Sequence, residues 1–152
     1  MIDRILIENF KSLRRVDLRL GPMNLFIGTN ASGKSNFFDA LRVLQGIGNG
    51  FTISEILDGK PRSATSEVWE GVRGGSAKAR LASAAAVDDI RLLAGGRLGQ
   101  GEAWEFELSF DPVDGRLTSE RLKVGTDLYD STAIAPAQRS EPTIKVRYRG
   151  GE

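Results

Sequence analysis

The strongest chemical signal in the sequence is a run of eight residues near its start. Residues 28–35 follow the pattern G-x-x-x-x-G-K-S, which is typical of a phosphate-binding loop. Consecutive backbone N–H groups in such a loop surround phosphate oxygens, and the helix that follows adds the positive end of its dipole. Lys34 is expected to reach the β- and γ-phosphates of a nucleotide, and the Ser35 hydroxyl to coordinate Mg²⁺. The sequence therefore predicts a nucleotide site that takes a magnesium ion.

The two glycines of this pattern have a backbone role. Gly28 and Gly33 permit backbone angles, and a close approach of the phosphates, that a Cβ atom would obstruct. The pattern fixes only four positions, so it needs support from an apolar strand before the loop and a helix that begins at the lysine. The candidate ligand-binding residues within the pattern are Gly28, Thr29, Asn30, Ala31, Ser32, Gly33, Lys34 and Ser35.

Both flanking elements are predicted from the pattern of apolar residues. Residues 24–27 form a short apolar run bounded by turn residues, which indicates a buried strand. Residues 34–45 repeat apolar side chains at helical spacing, which predicts an amphipathic helix. The side chains of this helix that are expected in the core, and not against a nucleotide base, are Phe37, Phe38 and Leu41.

The whole chain divides into three stretches. Residues 1–46 combine strands at 2–10 and 15–20 with the loop and its helix, residues 47–101 are predicted to be irregular or helical, and residues 102–152 are β-rich. The further elements favoured by the sequence are short helices at 53–57, 66–72 and 77–86, and strands at 104–110, 117–124 and 143–148.

Composition excludes several kinds of chemistry. The 152 residues contain no cysteine and no histidine, which excludes disulfides, thiolate metal sites and a Ser-His-Asp triad. The net charge of +1 does not predict tight binding to nucleic acid, although residues 1–50 hold seven basic against four acidic side chains. No apolar run approaches the ~18 residues of a membrane helix, and the start lacks a secretory signal. We expect a cytoplasmic protein without a membrane partner.

Three motifs in the first 46 residues together carry a family resemblance. They are the N-F-K-S stretch at 9–12, the G-x-N-x-S-G-K-S-N form of the loop at 28–36, and the F-F-D-A-L helix at 37–41. In this combination the chain resembles the start of ATPases of the RecF/SMC/OLD type, an ABC-like branch of the P-loop ATPases that is often described as AAA-type. The segment 69–75, W-E-G-V-R-G-G, is similar to one in OLD-like members, with less specificity.

The resemblance implies a fold for this chain and a set of partners in the complete protein. It implies the N-terminal lobe of an α/β P-loop NTPase head, with a mixed sheet and an antiparallel β-subdomain over 102–152 beside the nucleotide. This lobe is incomplete, so we expect it to associate with itself or with a complementary C-terminal lobe. In the complete protein, two heads would enclose ATP and Mg²⁺, with DNA as a possible further partner.

The resemblance also adds candidate residues to the site. Asn30 and Asn36 match asparagines of the family's loop, although Asn30 also suits a turn without any ligand. Lys11, in the turn after the first strand, would lie near the nucleotide, while as an isolated residue it is equally well explained as a solvated turn residue. Ala31 departs from the glycine of many relatives, and since alanine is small we expect a minor effect.

Several groups that hydrolysis needs are placed far downstream in the family. They are a strand ending in Asp-Glu, a signature loop and commonly a switch histidine. Asp88 and Asp89 follow a run of alanines, and we interpret them as a loop or an exposed helix end rather than the catalytic acids. Gln138 matches a magnesium-sensing glutamine only weakly and is better explained as a loop residue. The isolated chain is therefore predicted to hydrolyse ATP slowly or not at all.

Three functions remain open from the sequence. The leading one is ATP binding as part of an ABC-type ATPase linked to DNA repair, chromosome maintenance or phage defence. The alternative is a non-catalytic nucleotide-binding module for assembly or dimerisation. A P-loop kinase or GTPase shares the loop, but a GTPase would require an N-K-x-D motif, which the sequence lacks.

Overall fold

The computed structural model describes residues 1–60, 68–83, 88–99 and 101–130. Within these residues the chain forms a sheet with helices between its second and third strands. The elements are β1 (Ile2–Phe10), β2 (Leu13–Arg19), α1 (Lys34–Gly48), α2 (Ile53–Asp58), a 3-10 turn (Ser76–Lys78), β3 (Ile90–Arg97), β4 (Ala103–Asp111), β5 (Arg116–Val124) and β6 (Asp127–Asp130). In this part of the chain no helix is long and apolar enough to cross a membrane.

A single sheet joins the two ends of the described chain. Its strand order is β2-β1-β3-β4-β5-β6. β3 pairs with β1 on one side and with β4 on the other, although it lies in the stretch 47–101 that was predicted to be irregular or helical. That prediction was wrong because β3 is buried on both faces, with Leu92 and Leu93 both enclosed, and a strand of this kind lacks alternation. The β-rich last stretch therefore continues the sheet of residues 1–46.

The mixed sheet implied by the resemblance is not confirmed. Every pairing between the described strands is antiparallel. Residues 24–27, predicted to be a buried strand, belong to no strand, and Leu25 and Ile27 are 79% and 84% exposed. Only Phe26 turns inward, with its ring centroid 4.8 Å from that of Phe37. An extended segment becomes a strand only when a neighbour takes up its backbone hydrogen bonds, and the described residues place none beside it.

Most other elements follow the sequence pattern. The strands at 2–10, 104–110 and 117–124 are confirmed within one residue at each end, and α1 begins at Lys34 as predicted. α2 is confirmed too, and it starts with a capping box in which Thr52 and Glu55 satisfy each other's backbone N–H groups. β2 begins two residues before the predicted strand at 15–20, and β6 was not predicted.

Two predicted helices are not α-helical in the parts that the structure describes. Residues 68–72 of the helix predicted at 66–72 are irregular, and Trp69 forms an isolated bridge with Lys60. The helix predicted at 77–86 is reduced to the 3-10 turn, because Arg80 pairs with Phe10 at the end of β1. Tertiary pairing overrides local helix propensity at both places. The predictions that lie outside the described residues are the strand at 143–148 and the role of Gln138.

One core lies between the sheet and the helices. α1 and α2 cover the face of the sheet that carries the alternate apolar residues of its central strands. Phe38, predicted to be in this core, is instead 51% exposed, because it points toward the unpaired segment 24–27 and away from the sheet. The largest enclosed side chains of the core are Phe10, Phe110, Ile5, Ile7, Ile53, Ile56, Leu57, Ile90, Leu92, Leu108 and Val43.

The opposite face of the sheet carries a network of ion pairs. Arg91 bridges Glu8 on β1 and Glu107 on β4, with both nitrogen–oxygen distances at 3.0 Å. The hydrogen bond to Glu107, and then the charge of Glu8, raise the pKa of the Arg91 guanidinium. Leu6 and Leu93 stand opposite each other on this face and are buried. Opposite charges on β1, β3 and β4 therefore neutralise each other across this part of the face.

Two glycines near the end of α1 differ in surroundings, and we predict opposite effects on stability. A Cβ at Gly46 would lie 2.5 Å from Ile56 Cγ1, whereas a Cβ at Gly48 would meet nothing within 4 Å. Gly46→Ala is therefore expected to lower the free energy of unfolding by about 1–3 kcal/mol through overpacking. Gly48→Ala should raise it by up to about 1 kcal/mol, because alanine is the better helix former. Urea unfolding of both variants checks this, and equal signs would contradict the packing of α1 on α2.

We also predict a pH dependence that arises at Glu120. This carboxyl is 8% exposed on β5, opposite Leu108, and burial raises its pKa above the ordinary 4.5. The folded protein then holds this proton more tightly than the unfolded chain, so its stabilising effect is present below pH 4.5 and is lost as the pH rises through the folded pKa. Glu120→Gln should therefore be more stable than the parent at pH 7 and lose that advantage toward pH 4. Chemical denaturation at both pH values measures the difference, and a pH-independent difference would refute it.

Candidate phosphate-binding site

The loop over residues 28–35, here called the phosphate loop, is curled and not extended. The Ser32 N–H donates to the Thr29 carbonyl at 3.3 Å, and Ala31 and Gly33 adopt left-handed backbone angles, with φ at 65° and 93°. The chain then enters α1, whose first hydrogen bond runs from the Phe37 N–H to the Gly33 carbonyl at 2.9 Å. The preceding N–H groups of the first turn have no acceptor within the helix. They form the positive end of the α1 dipole at the mouth of the loop.

The Lys34 ammonium spans the phosphate loop. Its Nζ donates to the carbonyl oxygens of Gly28 and Thr29, at 2.5 and 2.7 Å, and lies 3.2 Å from Ser32 Oγ. These acceptors are neutral, so the positive charge is not cancelled by them. The arrangement holds a cation over the loop at the place toward which the helix dipole also points.

Steric room and backbone angles explain why small residues occupy the phosphate loop. A Cβ at Gly28 would lie 2.7 Å from Ser32 Oγ, and one at Gly33 would lie 3.2 Å from Leu13 Cδ2 in addition to the cost of its positive φ. Only Gly33 has the special backbone angle that the sequence predicted, and the close approach of phosphates at both glycines stays a prediction. At Ala31 the φ of 65° costs an L-residue roughly 1–2 kcal/mol, which glycine would avoid.

The start of α1 is open to an anion. No side chain caps the helix and its first turn contains no acidic residue. Ser35 and Asn30 lie exposed at the loop, while Asn36 donates from Nδ2 to Ser12 Oγ at 2.8 Å. Among the described residues no three acidic side chains come close enough to hold a metal ion. A magnesium ion here would therefore depend on Ser35 and on oxygens of the phosphates it accompanies.

The turn between β1 and β2 lies against the phosphate loop, as the resemblance implied. Ser12 accepts the hydrogen bond from Asn36, and Leu13 lies next to Gly33. Lys11, however, does not project into solvent, so its interpretation as a solvated residue was wrong. Its Nζ lies 2.5 Å from Asp39 Oδ2, and its side chain is 8% exposed. A direct contact between Lys11 and a nucleotide stays a prediction.

Sequence reasoning missed two further residues, which contact Lys11 beside the phosphate loop. Asp39, on α1, is buried and accepts from both Lys11 and the Arg73 guanidinium, the latter at 3.0 Å. A sequence signal existed for Asp39, because it is an acid between apolar residues on the inner side of an amphipathic helix. Arg73 lies in the W-E-G-V-R-G-G segment, which packs on the helices: Trp69 Nε1 donates to the Ile56 carbonyl at 3.2 Å.

The acidic pair at 88–89 has a structural role. Both residues lie in the loop before β3, as predicted. Asp89 accepts from Thr118 Oγ1 at 2.6 Å through its carboxylate and from Asn9 Nδ2 at 3.1 Å through its carbonyl. Asp89 thereby connects the start of β3 to β1 and to β5, which lie on opposite sides of β3 in the strand order.

Comparison with known proteins agrees with the geometry of the first part of the chain. A family model described as an AAA ATPase domain matches residues 1–63. The chain is also 39% identical over 44 residues to the DNA replication and repair protein RecF of Lactobacillus acidophilus. That match covers 28% of this chain and 12% of the relative, so the chain spans a small part of the relative's length.

The family-model match includes the phosphate loop. Both matches support the same class of ATPase, and that class uses a P-loop fold. The N-terminal region of this chain is therefore similar to that of ATPases of the AAA/ABC type in the RecF/SMC-like class.

Proposed function

We propose that the chain binds ATP through the phosphate loop, as a Walker A motif, and that it is one part of a RecF-like ATPase. The observation that carries this proposal is the Lys34 ammonium held over a curled loop at the uncapped start of α1. Two sources of positive potential converge there: the ammonium, and the free N–H groups of the first turn that form the positive end of the helix dipole. A triphosphate is the common cellular ligand that matches such a site in charge and in number of acceptor oxygens.

Each residue has a defined part in this proposal. A β- or γ-phosphate oxygen replaces the loop carbonyls as the acceptor of the Lys34 ammonium, which gains a charge-assisted hydrogen bond in place of neutral ones. Ser35, one residue further along the helix, supplies its hydroxyl to Mg²⁺, and the ion in turn bridges phosphate oxygens. Asn30, Asn36 and the glycines keep the loop in the shape that allows the approach.

Hydrolysis requires more than binding. Phosphoryl transfer depends on positioning and charge neutralisation, and an ATPase of this class also needs a carboxylate that orients water and a loop that covers the nucleotide. We propose that these groups come from a complementary C-terminal lobe, and that the complete protein acts in DNA repair, maintenance or defence, in line with the name of the RecF relative. The alternative is a nucleotide-binding module that serves assembly without turnover.

The phosphate loop is tested by Lys34→Ala, with Lys123→Ala on the exposed side of β5 as the control. We expect Lys34→Ala to weaken binding of MgATP about ten- to hundredfold, since hydrogen bonds to charged groups contribute roughly 1.5–3 kcal/mol. Lys123→Ala should leave the affinity unchanged. Isothermal titration with and without Mg²⁺ measures both, and equal affinity of the parent and Lys34→Ala would end the proposal. The same samples should release phosphate no faster than background, and turnover that Lys34→Ala abolishes would contradict the need for a second lobe.

The exposed apolar segment before the loop supports an assembly partner. Met23, Leu25 and Ile27 are all largely exposed, while Phe26 between them packs on α1. This is the in–out alternation of a strand whose neighbour is missing. We propose that a strand of the complementary lobe, or of a second copy of this chain, pairs with residues 24–27.

Charges on the unpaired segment test this association. Leu25→Lys combined with Ile27→Lys is expected to weaken self-association more than tenfold, because each apolar side chain contributes roughly 1.5–3 kcal/mol when it is buried. Val113→Lys, at an equally exposed position on the turn between β4 and β5, is the control. Sedimentation velocity over a range of concentrations follows the oligomeric state. Association that persists in the double variant would place the contact elsewhere.

A further inference from the structure

An enclosed ion pair lies beside the phosphate loop. Lys11 and Asp39 approach to 2.5 Å between Nζ and Oδ2, and each side chain is only 8% exposed. Lysine and aspartate are seldom buried in this way, because removing two charges from water costs several kcal/mol per ion before their attraction offsets it. The proposed function assigns neither residue a contact with the nucleotide that would explain this cost.

Lys11 connects three segments of the chain. It stands at the end of β1 with a φ of 53°, and its backbone N–H donates to the Ala79 carbonyl at 2.8 Å. Its ammonium donates to Asp39 on α1 and to the Arg73 carbonyl at 2.7 Å. One side chain thus links the last residues of β1, the helix and the segment that follows α2.

Asp39 is placed where the orientation of α1 matters most. It lies four residues after Ser35, so both side chains stand on the same side of the helix, one turn apart. A rotation of α1 that carried Ser35 and Lys34 away from the mouth of the loop would also pull Asp39 from Lys11. Lys11 would then keep only the neutral Arg73 carbonyl as acceptor, and Asp39 would depend on Arg73 alone, which is destabilising for two buried charges.

Further contacts also hold the turn at 11–13 against the start of α1. The Asn36 side chain reaches Ser12, next to Lys11, and Gly33 lies in contact distance of Leu13. The turn at 11–13 therefore runs along the first turn of α1. Apolar packing alone allows a helix to slide or rotate between similar arrangements, whereas a directional polar contact distinguishes them.

We propose that Lys11 and Asp39 form a positioning pair, which sets the rotation of α1 and through it the direction in which Lys34 and Ser35 point. In this role the pair acts through the orientation of the helix and not through a contact with phosphate. This inference rests on the proposed function for its effect on affinity, and on the fold alone for its effect on the helix.

The experiment compares three variants of the full chain. Lys11→Met and Asp39→Asn each break the pair, and Lys11→Met combined with Asp39→Leu replaces it by apolar side chains that keep the fold stable. Lys60→Met is the matched control, because it removes an ion pair with Glu55 (2.9 Å) that lies away from the loop. Thermal unfolding first establishes the stability of every variant.

Two measurements then separate positioning from stability. We expect all three variants to bind MgATP about tenfold more weakly than the parent, including the apolar double variant whose stability is restored, whereas Lys60→Met binds normally. We also expect faster amide hydrogen exchange over residues 34–38 in the three variants, without nucleotide, than in Lys60→Met. An apolar double variant with parental affinity and parental exchange would overturn the proposal.

The two proposals fail in different ways. If the parent itself does not bind MgATP, the proposed function is wrong, and hydrogen exchange alone decides on the pair. Faster exchange at the start of α1 in the double variant then supports positioning, and unchanged exchange reduces the pair to a structural contact. If the parent binds MgATP and only the single variants are weakened, in step with their loss of stability, the positioning role is refuted while nucleotide binding stands.

Discussion

Burial of α1 against the sheet is the constraint on which the phosphate loop depends. The loop has little structure of its own, and its shape follows from where the helix begins. α1 is held by Phe37, Ala40 and Val43, which are buried in the core formed with β1 and the central strands. Close-packed interiors tolerate little displacement, so the start of the helix has a defined position relative to the end of β1. The loop acquires its place from this packing.

Two surfaces of the molecule differ in how their charges are neutralised. On the open face of the sheet, arginines and carboxylates neutralise each other in rows, as Arg91 does between Glu8 and Glu107. At the start of α1 the situation is reversed, because Lys34 is held by neutral carbonyls and the first turn carries no acid. An anion is therefore attracted to the helix start. The acid on α1 that would oppose this, Asp39, is neutralised by Lys11 and Arg73.

The segment at 24–27 lies where the proposed nucleotide site and the proposed assembly contact would meet. It leads into the loop, and one of its sides packs on α1 through Phe26 while the other is exposed. A strand paired to it would lie at the base of the phosphate loop and would restrain the loop from the side opposite the helix. Nucleotide binding and association would then stabilise each other, because both order the same residues.

Local rules account for the elements whose signals lie within a few residues. The G-x-x-x-x-G-K-S pattern and the apolar periodicity after it predicted the start of α1 at Lys34, because helix periodicity is a short-range property. The same holds for β1, β4 and β5, whose apolar residues face one core.

What the sequence by itself did not determine depends on residues far apart in the chain. β3 has no alternation because its side chains are buried on both faces between two paired strands, and the run at 24–27 is not a strand because no described segment pairs with it. Lys11 acquires its partner only when β1 and α1 are brought together across 28 positions of sequence. Sequence patterns specify which surfaces and backbone angles a segment prefers. Only the tertiary structure decides which segment meets which, since pairing and neutralisation of charge are properties of two segments and not of one.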